Sequence, residues 1–180
     1  MILMLLPDIP GDSKIPGYEN WISCTSISWS LTREFGESAK AGTTDLFTGV
    51  SDIQPVEVGK SFDNASPKLL RFGAGGGAIG GTSGMAEIHL LMSGAGGTGS
   101  DIDEPRKQCY LRYYLWNPII ASWNVSGDED SRPTETLTLW YYKIYFQYRQ
   151  FDGKAWSATN FDGGWDRQLH KSWMRTPAWT

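Results

Sequence analysis

The sequence predicts an all-β domain, a curled sandwich or barrel of two sheets with one short helix. Three observations point there. Aromatic residues make up 13% of the 180, with nine Trp and eight Tyr, and such large side chains suit the half-buried surface of a pleated sheet. Apolar residues recur at alternate positions through several runs, which is the period of a strand. The 21 glycines are mostly clustered, which marks long connections. The length suits one domain with a full-sized core, placed here at residues 1–171 with a Trp-bearing tail at 172–180.

Taken in order, Met1–Leu6 reads as a first strand stopped by Pro7. A turn-rich stretch with Gly11, Pro16 and Gly17 follows. Residues 21–33 read as one strand with Trp21, Thr25, Ile27, Trp29 and Leu31 on one face. Cys24, Ser26, Ser28 and Ser30 lie on the other. Residues 34–49 form a polar loop long enough to expect a function. Strand character returns at 50–60, with Pro55 arguing for an edge or a bend. Ser66 as N-cap, Pro67 in the first turn and Gly73 as the stop predict a two-turn helix held by Leu69, Leu70 and Phe72.

Met85–Met92 alternates with Ile88, Leu90 and Met92 on one face. Cys109, Leu111, Tyr113 and Leu115 alternate next, and the run bends at Asn117–Pro118 and continues to Val125. Across 134–149 the apolar phase shifts from Leu137, Leu139 and Tyr141 to Tyr142, Ile144, Phe146 and Tyr148. One slipped residue turns every side chain over, so a β-bulge is expected near 140–142. Beyond Gln150 the chain reads as loop.

Composition excludes several functions. The formal charge is −4 and the isoelectric point about 5.1. No basic block offers the positive face that nucleic acid requires. The apolar start, Met1–Leu6, is too short for a signal peptide or a membrane span. Export without a cleaved signal, and no membrane insertion, are therefore expected. Cys24 and Cys109 sit in strand-like runs and read as buried free thiols.

Candidate chemistry is sparse. Gly75-x-Gly77-x-x-Gly80 and Gly94-x-Gly96-x-x-Gly99 both fit a dinucleotide fingerprint in spacing but lack its strand–helix context. They read as connectors. His89 falls opposite Ile88 and Leu90 and reads as a surface or interface residue. Asp101, Asp103 and Glu104, and Asp128–Asp130, match no calcium loop and read as solvated turns. No catalytic residue, metal site or cofactor is assigned. The aromatic residues read as core and subunit contacts. An aromatic-rich carbohydrate-binding module is the alternative, and a hydrolase with a carboxylate pair formed only in space is a third reading.

Five segments together resemble one family. They are Trp21–Ser30; Lys60-Ser-Phe-Asp63-Asn-Ala-Ser66-Pro67-Lys-Leu69-Leu70; Tyr110–Ser122; Ser126-Gly-Asp-Glu129 with Arg132-Pro-Thr-Glu135 through Ile144; and Gly163-Gly-Trp-Asp166. In order and spacing they resemble the haemolysin-coregulated protein (Hcp) family, the tube protein of type VI secretion systems. The resemblance implies a homohexameric ring, stacked into a tube driven out by contractile sheath proteins. It also implies a VgrG-like spike protein at the tip, secreted effectors in the lumen, and no catalysis or cofactor. The protein would be cytoplasmic before firing and extracellular afterwards. Ser26, Ser28 and Ser30 would face the lumen or a subunit contact. Glu37, Ser38, Lys40, Thr43 and Asp45, in the 36–49 loop, would reach the neighbouring ring. The 93–107 loop is longer than is usual in the family, and the 172–180 tail is an addition.

Overall fold

The computed structural model describes residues 1–37, 46–93, 107–151 and 156–174. Ten strands form one antiparallel sheet: β1 (Ile2–Leu5), β2 (Ile22–Ser28), β5 (Val56–Ser61), β6 (Met85–Ser93), β7 (Lys107–Trp116), β8 (Ile119–Ser126), β9 (Thr134–Trp140), β10 (Lys143–Phe151), β11 (Trp156–Asp166) and β12 (Lys171–Ser172). Their order across the sheet is β12-β11-β10-β7-β6-β1-β2-β5-β9-β8. The two remaining strands, β3 (Leu31–Glu37) and β4 (Leu46–Ile53), make a separate two-stranded sheet.

The long sheet curls over its own apolar face. Trp29, just after β2, lies 6.4 Å from Phe146 on β10 between ring centroids, although β1, β6 and β7 separate those strands in the sheet. Only curvature brings them together. The apolar residues follow the pairing register. Met4 faces Ile22 and Ile88, Ile88 faces Tyr113, and Tyr113 faces Phe146. Val56 and Val58 face Leu139 and Leu137 in the same way. All six of Met4, Ile22, Val56, Val58, Ile88 and Leu139 have no exposure.

Strand interruptions set the curvature. The expected strand at 21–33 divides at Trp29–Ser30, and the one at 50–60 divides at Gln54–Pro55. Gln54 N–H donates to Ser30 O at 2.9 Å and ties the two breaks together. That leaves β3 and β4 free to leave the main sheet as a hairpin. The phase shift at 140–142 is likewise a full break. β9 pairs with β5 and β8, and β10 pairs with β7 and β11, so Tyr141 and Tyr142 carry the chain from one side of the curl to the other. Tyr141 is fully buried, and its hydroxyl donates to Gln54 O at 2.8 Å.

Other expectations need correcting. The stretch after Gln150 contains β11, an 11-residue strand whose two adjacent glycines masked its alternation. The helix α1 runs Ser66–Gly75, with Ala65 at the N-cap position. Ser66 lies inside it, and its Oγ accepts from Asp63 N–H at 3.0 Å, while Asp63 Oδ1 accepts from Ala65 N–H at 2.9 Å. The helix ends at Gly76, where φ is 66°, a conformation that favours glycine. Leu69 is buried, but Leu70 points outward at 56% exposure. At the register shift after Leu90, where Tyr110 of β7 is the extra residue, Leu91 is buried on the His89 side of the sheet and Met92 is left exposed.

Candidate assembly surface

The backs of four neighbouring strands, β2, β5, β9 and β8, carry small polar side chains. Each pleat that buries Val56, Val58, Leu137 and Leu139 sends the intervening residues to the other side. There Ser26 faces Gly59, Gly59 faces Thr136, and Thr136 faces Asn124. One row along, Ser28 faces Glu57, Glu57 faces Thr138, and Thr138 faces Ser122. Ser122 Oγ donates to Thr138 Oγ1 at 2.8 Å. A Cβ at Gly59 would sit 2.4 Å from Ser26 Oγ, so glycine keeps this surface flat.

Ser26 and Ser28 are therefore together on this face, and both are exposed. Ser30 is exposed as well, but it lies in the break after β2 rather than on the strand. Cys24 belongs to the opposite face. The pairing passes from Cys24–Lys60 to Ser26–Gly59, so Thr25 is an extra residue and the serine alternation begins only after it. The sequence reading missed Gly59, Ser122, Thr136 and Thr138. The alternating Thr134-Glu-Thr-Leu-Thr-Leu139 carries their signal. The edge of the sheet next to this face is β8, eight residues long and paired on one side only.

Of the residues expected to reach a neighbouring ring, Ser38, Lys40, Thr43 and Asp45 lie outside the described residues. The backbone of Glu37 pairs with Leu46 at the outer end of the β3–β4 hairpin. Among the described residues that hairpin is hydrogen-bonded to no strand of the main sheet, and it exposes Leu31 at 53% and Val50 at 72%.

Beneath the small polar face, Lys60 lies fully buried in a ring of acceptors. Its Nζ is 2.6 Å from Glu135 Oε2, 2.8 Å from Asp63 Oδ1 and 3.2 Å from Ser66 Oγ. Two carboxylates hold one ammonium, and they tie β5, β9 and the start of α1 together. Cys24 is the cross-strand neighbour of Lys60, and burial pushes its thiol up to about 12. Both cysteines are free and only partly buried.

His89 contradicts its surface reading and is 6% exposed. Its Nδ1 lies 3.2 Å from Tyr18 Oη, its Nε2 lies 3.4 Å from Glu87 Oε2, and Trp21 packs at 4.7 Å. The turn-rich stretch before β2 folds back over the sheet and covers it. Gly11 N–H donates to Asn20 O at 2.7 Å, in a crossing so close that a Cβ at Gly11 would lie 2.3 Å from Trp21 O. Burial lowers the basicity of the imidazole, Arg112 lowers it further, and Glu87 opposes both. Arg112 is the cross-strand partner of His89. Cys109 reaches the same side because the register moves from Leu90–Leu111 to Leu91–Cys109.

Among the described residues no group of His, Cys, Asp or Glu is placed to hold a metal ion. No described helix is long and apolar enough to cross a membrane. Trp29, Trp123 and Trp165 pack against the core cluster rather than forming an open platform.

The geometry defines a β-rich building block, with a small polar sheet face bordered by the edge strand β8 and a separate two-stranded hairpin. The family model for the type VI secretion system effector Hcp matches residues 3–148, and the chain belongs to that family of secreted tube proteins. Solved structures agree on the fold. A type six secretion system protein aligns with a TM-score of 0.75 at 21% identity, covering 95% of this chain and 98% of that one. Hcp1 from Salmonella typhimurium aligns with a TM-score of 0.68 at 20% identity, covering 95% and 96%. The anti-feeding prophage baseplate, 6-fold symmetrised, aligns with a TM-score of 0.52 at 18% identity, covering 81% and 89%. No curated protein matches.

Proposed function

We propose that this chain closes into a hexameric ring whose bore is lined by the small polar face of β2, β5, β9 and β8, and that rings stack into a secreted tube. The observation that carries the reading is that face itself. Four adjacent strands present Ser, Thr, Gly and Asn, with Glu57 as the charged member of the paired rows. A wall of short side chains leaves a wide bore, and its mostly neutral lining would let effectors of varied charge pass. The free β8 edge supports ring closure, because an exposed edge of this length invites pairing or cover, and a head-to-tail contact repeated around a closed ring supplies it.

The β3–β4 hairpin supports contact between rings, since it stands outside the main sheet with apolar side chains exposed. Glu37 pairs with Leu46 in this hairpin, and Ser38, Lys40, Thr43 and Asp45 are proposed to share the contact with the neighbouring ring. A spike protein at the tip, sheath proteins around the tube, and a cytoplasmic stage before firing complete the proposal. Native mass spectrometry tests ring closure. A dominant species of six times 20.1 kDa is expected, and a protein that stays monomeric up to high micromolar concentration overturns the reading.

A further inference from the structure

A second surface lies at the far end of the same strands. Ser51 and Asp52 at the foot of the hairpin, Trp140 at the end of β9, and Trp165, Arg167 and His170 line a shallow cleft of about 200 Å³. The Arg167 guanidinium stacks 4.9 Å from the Trp140 ring and 5.4 Å from the Tyr141 ring. Its Nη1 donates to Tyr141 O at 3.3 Å. A guanidinium clamped between rings and a carbonyl is pre-ordered for a carboxylate. Of the nearby carboxylates, Asp166 is held by Lys143 at 3.0 Å, and Asp52, which shares the cleft, accepts from the Gln54 amide at 2.6 Å and keeps its charge.

The opposite end of the β8–β9 hairpin carries the complement. Asp128, Glu129 and Asp130 are exposed at its turn. Asp128 Oδ1 accepts from Ser131 N–H at 2.9 Å and from Ser131 Oγ at 2.8 Å. The turn is thus shaped by its own hydrogen bonds, and Glu129 and Asp130 are left facing out. The turn closes at Ser126–Thr134, and the cleft opens where Ile119 pairs with Trp140. Seven residues of β9 separate them by about 20 Å, so the two cannot meet within one copy.

Strands that wall a tube run with a component along its axis, which puts the acidic turn and the Arg167 cleft on opposite faces of a ring. We infer that the acidic turn of one copy docks into the Arg167 cleft of a copy in the next ring, giving the stack its polarity. The inference rests on the ring proposed above.

The test uses two full-length variants, Arg167→Glu and Glu129→Lys/Asp130→Lys, and reads sedimentation together with electron micrographs. Each variant alone should remain a ring and lose stacking, because like charges then face each other. Mixed one to one, they should stack again in alternation, with the reversed turn meeting the reversed cleft and the native turn meeting the native cleft. Stacks of the native protein should shorten as salt rises. Rings that stack unchanged in both variants overturn the docking, as does loss of stacking with no recovery on mixing. If Arg167→Glu does not fold, the exposed turn variant decides alone, and its undiminished stacking overturns the docking. A native protein that forms no ring overturns the ring reading, and the docking with it.

Discussion

Lys60 is an ammonium with no exposure, held by Glu135 and Asp63. Two carboxylates and Ser66 offset its desolvation, but removing one leaves a buried charge short of a partner. Glu135→Ala is expected to cost roughly 3–5 kcal/mol, read as a lower urea midpoint, and Lys60→Met together with Glu135→Leu and Asp63→Asn should recover most of it. The sequence shows Lys60, Asp63 and Ser66 as one motif. Their partner Glu135 lies 75 positions on, and nothing local announces it.

His89 gives a pH signature. The unfolded imidazole takes its proton near pH 6.5, while burial beside Arg112 delays this in the folded chain to lower pH. Unfolding therefore takes up a proton below about pH 6.5, so stability is present above that pH and lost as pH falls through it. Chemical denaturation between pH 7 and 5 should show the decline, and His89→Gln should flatten it. Cys24 behaves in the opposite sense. With its thiol pushed up to about 12, stability falls as pH rises from about 9, and a thiol reagent at pH 8 should label Cys24 far more slowly in the native state than in urea.

At the scale of elements, glycines show where strands pass too closely for any side chain. A Cβ at Gly164 would meet Trp173 O at 2.4 Å and Ile144 O at 2.7 Å, both backbone atoms that cannot rotate away. Gly164→Ala should therefore cost at least about 1–3 kcal/mol and loosen the β11–β12 edge, measurable as faster amide exchange at Trp173. Strand existence was legible wherever alternation was clean, as along β6, β7 and β9. Interruptions were harder to see. The break at Trp29–Ser30 reads as continuous strand because period-two patterning continues through it, whereas the phase shift at 140–142 announces an interruption but reads as a bulge and not as a full break. β11 escaped because Gly163 and Gly164 resemble a turn, whereas here Gly164 admits a close crossing.

At the scale of the whole molecule, the polar face across β2, β5, β9 and β8 was half legible. Ser26 and Ser28 declare it on one strand. Gly59, Thr136, Thr138 and Ser122 join it only through pairing register, which connects residues far apart in sequence. The resemblance of ordered segments supplied the family and with it the expectation of assembly. In the proposed ring this face lines the bore. Electron cryomicroscopy of the purified full-length protein tests it most directly. The prediction is a six-fold ring with Ser26, Ser28, Thr136 and Thr138 bordering the central hole. Monomers at every concentration, or rings that turn this face outward, would contradict it.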